Sequence, residues 1–421
     1  METLNTSAPA FSPRDRTLLR DLALQVAEIG NDPIQTRKAE AWTKHNDLQR
    51  VRPMVLVFPE GAWRELLPDE VLETESDLAR DLERDFRRRI YYWRHLPDDN
   101  VIEPRVDAPI VMRSTGWGLD TRQTASEQAT GAYHIEPVLN DERDLEALCL
   151  PRLQVDREAT EQQYAFLQDL FGDLLTVEKR GVFRGAICAL DFYAKLRGID
   201  ALFLDLVDNP DFVHRAVGKI VDGHIAMMTD AQKQEALTLG NRNHYAGSGG
   251  TSYTRQLPQP GFDGVHVRSK DLWGFATSQI FSEVSPAMLE EFALQHEKRY
   301  LELFGLNCYA CCEPVHDRFE QIFRNVPRLR RISISPWADV DKSAEVLQDK
   351  YVFSWKPNPA VLAGGSWDPD KVRAELRRFC ERTRDNVVEM IMKDTHTVAH
   401  QPERMWEWVR IAREVAEEFA T

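Results

Sequence analysis

The feature that most constrains this chain is a rhythm that begins after about Gly131. Short apolar runs alternate with amphipathic stretches of helical period. Predicted strands fall at 174–177, 182–186, 236–240, 306–309, 331–335, 351–355 and 388–392. Between the last four, the spacing predicts helices over 315–325, 343–348 and 371–385. Two parallel strands need a long crossover, and a helix supplies it, so this alternation argues a parallel sheet. The number of units, in a chain of 421 residues, favours closure into a (β/α)8 TIM-type barrel over an open sheet.

The barrel is expected over residues 131–421. Residues 1–130 are read as an N-terminal, mainly helical extension. Residues 1–12 are polar and read as loose. From 13 to 42 one apolar helical face runs through Leu18, Leu19, Leu22, Leu24, Val26 and Ile29. The run 52–58 is rich in strand formers, with Pro53 at its start, where a strand tolerates proline. As a first barrel strand it would make 60–170 an insertion. The stretch 77–93 has helical spacing, and its Arg87-Arg88-Arg89 cluster reads as a solvated helix face.

The formal net charge of -15 leaves no basic surface for nonspecific nucleic-acid binding or for anionic membranes. Charges interrupt every apolar stretch well before the about 18 residues a membrane span needs. The N-terminus has no apolar core of signal-peptide shape. Few, unevenly spaced cysteines suit a reducing compartment, so a cytoplasmic enzyme is expected, acting on a small molecule, with a homodimer left open.

Three of the six cysteines lie within five positions, in Asn307-Cys308-Tyr309-Ala310-Cys311-Cys312-Glu313-Pro314. They sit where a predicted strand hands over to a helix. In an α/β barrel that is the working face, because strand ends share one mouth. Thiols with a carboxylate and imidazoles nearby can hold a borderline metal such as zinc. Inert core cysteines and a redox pair are the alternatives. No second Cys-x-x-Cys follows, so an open catalytic site fits better than a closed structural one.

Other strand ends are polar too. Asn241-Arg242-Asn243-His244-Tyr245 precedes the glycine-rich Gly247-Ser248-Gly249-Gly250. Ser335-Pro336-Trp337, Lys356-Pro357-Asn358 and Lys393-Asp394-Thr395-His396 complete the set. Candidate catalytic residues are Glu313, Asp394, His396 and His244. Candidate substrate-binding residues are Asn243, Tyr245, Trp337, Lys356 and Asn358. Candidate metal ligands are Cys311, Cys312 and His396, with His316 in reserve. Trp273 and Trp355 are read with Trp337 as mouth or core aromatics. The 247–250 glycines match neither the dinucleotide nor the Walker spacing, and read as a flexible lid or hairpin loop.

Four segments carry a resemblance to a known family. They are Val284-Ser285-Pro286-Ala287-Met288-Leu289-Glu290-Glu291-Phe292, then Tyr309-Ala310-Cys311-Cys312-Glu313-Pro314, then Leu329 through Trp337, and Lys393-Asp394-Thr395-His396 with Gln401-Pro402-Glu403. Together they resemble the uroporphyrinogen decarboxylase superfamily, in its uncharacterised decarboxylase-like branch related to the zinc and corrinoid methyltransferases. The resemblance implies a metal-dependent methyltransferase. It would move a methyl group between a small methylated substrate and a corrinoid or thiol acceptor, the corrinoid being carried on a partner protein. The alternatives are a metal-free decarboxylase or lyase, with Lys356 and Arg242 on a substrate carboxylate, and a non-catalytic barrel binding a corrinoid or other ligand. The family's arginine-rich N-terminal motif is missing, which argues against the heme-pathway reaction. Where zinc relatives place a His-x-Cys pair and a later cysteine, this chain has Tyr309, Cys311 and a nearby His396.

Overall fold

A computed structural model describes residues 11–124 and 134–420. Of the loose start expected at residues 1–12, residues 1–10 lie outside the described residues, as does the domain boundary at 130/131. Phe11 is buried against Phe166 and Ser12 caps the first helix, so these two are ordered parts of the fold. Eight parallel strands matter here. They are β1 (Met54–Val57), β2 (Arg105–Pro109), β3 (Thr176–Arg180), β4 (Trp273–Ala276), β5 (Leu306–Tyr309), β6 (Leu329–Ile334), β7 (Val352–Trp355) and β8 (Val387–Met392).

Six of these strands form one continuous sheet in the order β1-β8-β7-β6-β5-β4, every pair parallel. Their apolar runs are buried along their length, as strands covered on both faces require. Beyond β4 the chain at 182–187 continues the parallel pairing through single bridges, Arg184 to Trp273 and Ile187 to Ala276. Val182 in turn bridges Leu237, and β2 pairs with β3. The architecture is mixed α/β, with a parallel six-stranded sheet consistent with a TIM-type fold.

Of the expected run 52–58, residues 54–57 form β1, which pairs in parallel with the last strand, Val55 opposite Met390. The strand β4 was not expected. The expected runs 182–186 and 236–240 take part only as bridged segments. The single helix expected over 13–42 is two, α1 (Pro13–Gly30) and α2 (Pro33–Asn46). Asp32 caps the second by accepting from Ile34 N, and Pro33 fills its first position, where a missing N–H costs nothing. A further helix, α3 (Asp77–His95), starts on Ser76. Helices α1 and α3 pack in their own apolar cluster with Leu167, Leu170 and Phe171, separate from the main core.

Beneath the strand ends the interior is ionic. Arg331 and Glu389 are 1% and 0% exposed and pair at 2.9 Å. Such a pair is stable only if its remaining donors and acceptors are met. Asn46 Oδ1 accepts from Arg331 Nη2 at 2.6 Å, and His45 Nε2 meets Glu389 Oε2 at 3.2 Å. Burial alone would raise the Glu389 carboxyl, but Arg331 and His45 bring it down to about 2.

The glycine-rich stretch is not a lid. Residues 246–252 are buried and threaded through this interior. Asn46 Nδ2 donates to the carbonyls of Thr251 and Tyr253, at 3.0 and 2.7 Å, and Trp273 Nε1 donates to Ser252 O at 3.0 Å. A Cβ on Gly250 would lie 2.6 Å from Arg331 Nη2 and 2.7 Å from Glu389 Oε2, at φ +74. One on Gly247 would meet Cys308 Cβ at 2.5 Å. The glycines are there because a backbone must pass close to side chains inside the sheet.

Candidate functional site

At the end of β5 the chain turns sharply, with Ala310 at φ 70. The turn is clamped by Glu313, whose carboxylate accepts from Cys311 N at 2.9 Å, Thr277 Oγ1 at 2.7 Å and Ser278 N at 3.3 Å. This side chain is buried and engaged on several donors. It holds the loop, and its carboxylate is not free to serve as a base.

The clamp presents the two adjacent thiols. Cys311 is half-buried and Cys312 exposed, with sulfurs 3.5 Å apart. From the threaded loop Ser248 Oγ donates to Cys311 Sγ at 3.0 Å. From the end of β8 Lys393 Nζ lies 3.6 Å from the same sulfur and 3.4 Å from Ser248 Oγ. Asp394 completes the group, at 3.3 Å from Lys393 and 3.7 Å from the Cys312 sulfur.

These neighbours separate the two thiols electrostatically. The hydrogen bond from Cys312 is the main influence holding the Cys311 thiol below its ordinary range. Lys393 and Ser248 add to it and burial opposes it. Cys312 is driven the other way, first by that bond to Cys311 and then by burial, so it keeps its proton. Burial works against the Lys393 charge, yet Tyr245, Cys311 and Asp394 keep it firmly an ammonium. The arrangement favours a thiolate at Cys311 over one at Cys312, with a cation beside it, and is suited to nucleophilic attack.

A buried carboxyl group lies behind the clamp. Glu297 accepts from Ser278 Oγ at 2.9 Å and Tyr309 OH at 3.1 Å, and burial raises it to about 8. Asp191 is raised to about 6, by burial and then by Glu313. Sequence reading missed both, as it missed any role for Ser248 and Lys393. Lys393 carried a signal, since it leads a polar strand end. Ser248, Asp191 and Glu297 carried none, because they reach the site from other elements.

The remaining candidates scatter. His396 is exposed on the loop after β8, against Gly61, and makes no hydrogen bond to the thiols. Among the described residues, no group of three or more His, Cys, Asp and Glu side chains is placed to hold a metal. Lys356 is buried, with Nζ on Ser354 O at 3.0 Å and Ser354 Oγ at 2.6 Å, and burial lowers it to about 8. Trp337 is 68% exposed at the mouth. Trp273 lies in the interior beneath Arg331, and Trp355 stacks on Phe379 in the helical layer. Asn358 is exposed and accepts from Ala360 N, an ordinary turn role. His316 is half-buried on the way to the next helix.

Asn243, His244 and Tyr245 line a neighbouring cavity with Trp63 and Arg88. His244 stacks on Phe183 and meets Arg105 Nη2 at 2.8 Å. Burial, then Arg105 and Arg180, bring it down to about 4, so it is a neutral wall and no proton donor at neutral pH. Tyr245 joins the two sites: it lines the cavity, and its hydroxyl feels both Lys393 and Cys311. No helix among the described residues is long and apolar enough to cross a membrane.

No family model matches the sequence, and no curated protein matches it. Among solved structures the fold is similar to a methyltransferase from Methanosarcina mazei. The likeness covers 90% of this chain and 97% of that one, with a TM-score of 0.50 and 11% identity. At that identity it is a likeness of fold.

Proposed function

We propose that this chain is an enzyme of methyl transfer, acting on a small methylated substrate at the strand-end mouth, with Cys311 meeting the methyl carbon. The observation that carries this reading is the Cys311 sulfur between Ser248, Lys393 and the protonated Cys312. The name of the structural neighbour, and the resemblance of the strand-end segments to uroporphyrinogen-decarboxylase-like methyltransferases, are in keeping with it.

In the proposed step the Cys311 thiolate attacks the methyl carbon in line. A sulfur–carbon bond forms as the bond from that carbon to its heteroatom breaks. The electron pair leaves with the heteroatom, and Cys312, which keeps its proton, supplies one if the leaving group needs it. The methyl then passes to an acceptor, a second thiolate or a reduced corrinoid on a partner protein: the acceptor bonds the carbon as the Cys311 sulfur–carbon bond breaks, and Cys311 leaves as the thiolate. The Lys393 ammonium lies beside Cys311, and among the described residues no three His, Cys, Asp or Glu side chains converge as a catalytic zinc site needs. No step above therefore runs through a metal. Zinc on Cys311 and Cys312, with His396 turned inward, is a separate proposal, decided by metal content of protein purified without chelator.

A metal-free decarboxylase is the weaker alternative. Its two carboxylate holders are engaged, Lys356 on Ser354 and Arg242 on Glu178. The test is mass analysis of the Cys311 peptide after exposure to methylated amines, thioethers and methyl iodide. A gain of one methyl in the wild type, absent from Cys311→Ser, supports the reading. Turnover of a methyl donor by Cys311→Ser at the wild-type rate would remove the thiolate step.

A further inference from the structure

The cavity that shares Tyr245 with the thiol site holds a cation with no hydrogen-bond or ion-pair partner among the described residues. Its volume is ≈ 330 Å³, within the range of small-ligand sites. Four guanidiniums line it, from Arg88, Arg89, Arg105 and Arg180, against the three carboxylates of Asp85, Glu103 and Asp107. Three of the cations are matched: Arg89 to Asp85 at 2.6 Å, Arg105 to Glu103 at 2.8 Å, and Arg180 to Asp107 at 2.6 Å. Four minus three leaves one positive charge, and it belongs to Arg88.

Arg88 has no hydrogen-bond or ion-pair partner among the described residues, and its Nε is buried without one. A buried donor left unmet costs free energy, so a ligand that meets it gains affinity. Its guanidinium lies over the Trp63 ring at 4.9 Å. The edge of a guanidinium matches a carboxylate in two parallel hydrogen bonds. Its neighbours in the sequence cluster are paired, Arg87 with Glu73 and the buried Glu83, and Arg89 with Asp85. Arg88 is half-buried, lines the cavity and has no such pair among the described residues.

We infer that this cavity receives the carboxylate end of the substrate, on Arg88 above Trp63, while the reacting end passes Tyr245 to Cys311. The inference deepens the methyl-transfer reading and rests on it. It assigns the substrate class as a small methylated acid with one negative charge at the end remote from the methyl group. Asn243 and the neutral His244 form the uncharged part of the wall.

Two measurements test it. Calorimetry with pentanoate should show binding to the wild type that weakens about tenfold or more in Arg88→Gln and partly recovers in Arg88→Lys. Equal binding by wild type and Arg88→Gln would overturn the site. Tighter binding of inorganic phosphate than of pentanoate would overturn its assignment to carboxylates.

The second uses ω-bromoalkanoic acids of graded length and the matching neutral amides, with mass analysis at Cys311. Sulfur displaces bromide, so no oxidant or further reactant is needed. At one chain length the acid should alkylate Cys311 about tenfold faster than the amide in wild type, and at an equal rate in Arg88→Gln. Alkylation without any preference for the acid would overturn the carboxylate site and leave the thiolate reading standing. Pentanoate bound through Arg88, with Cys311 inert to both reagents, would sink the thiolate reading while the anion site stands.

Discussion

Between residues 273 and 392 the chain builds its part of the site by regular means. Strand follows helix, each strand pairs with the next, and strand ends bring Cys311 and Lys393 to one face. Between residues 240 and 254 it builds the rest by threading irregular backbone through the interior, and only there does Ser248 reach Cys311. The first region takes its order from local periodicity. The second has no periodicity and is held by Asn46, Arg331 and Trp273, each distant in sequence. A site can thus be half written in repeating pattern and half in contacts that exist only once the chain has folded.

The largest effect should come from the shared anchor of the two regions. Arg331→Met would strand Glu389 in the interior and should cost about 3–5 kcal/mol in urea unfolding. The same variant has a pH signature. Glu389 is depressed to about 2 when folded, so its stabilisation is present above its unfolded range near pH 4.3, and is lost as pH falls toward 2. In Arg331→Met that acid dependence should flatten. Unchanged stability would mean that the threaded segment is held by something else.

Next comes the close passage of backbone. Gly250→Ala puts a methyl against Arg331 and Glu389 at positive φ, and should cost about 3 kcal/mol. Gly365→Ala, where a Cβ meets nothing within 4 Å, should lie within about 0.5 kcal/mol of the wild type. Equal costs for the two would erase the distinction between threaded and exposed glycines.

Smaller effects sharpen the comparison at the thiol. Lys393→Met, from the regular region, removes the cation beside Cys311. The pH midpoint of its alkylation by iodoacetamide should rise by about one unit or more. Ser248→Ala, from the threaded region, removes one neutral hydrogen bond and should raise the same midpoint by less than about one unit. A larger shift for Ser248→Ala than for Lys393→Met would reverse the order of the two neighbours that add to the Cys312 bond.

The sequence by itself determined the parallel α/β plan, the pairing partner β1 near 52–58, and the position of the thiols at a strand end. Those properties follow from apolar runs and helical spacing, which act over a few residues. Even the glycines of 247–250 were visible, but glycine permits both an open lid and a close passage, and only the interior packing chose between them. Tertiary structure alone decided that Glu313 clamps a turn, that His244 faces Arg105, and that His396 stays outside. It also turned Arg88, in a run that reads as solvated, toward a cavity. The physical reason is the same in each case. Hydrogen bonds and charges are settled by whichever partner lies within about 3 Å, and no local pattern encodes partners brought there from hundreds of residues away.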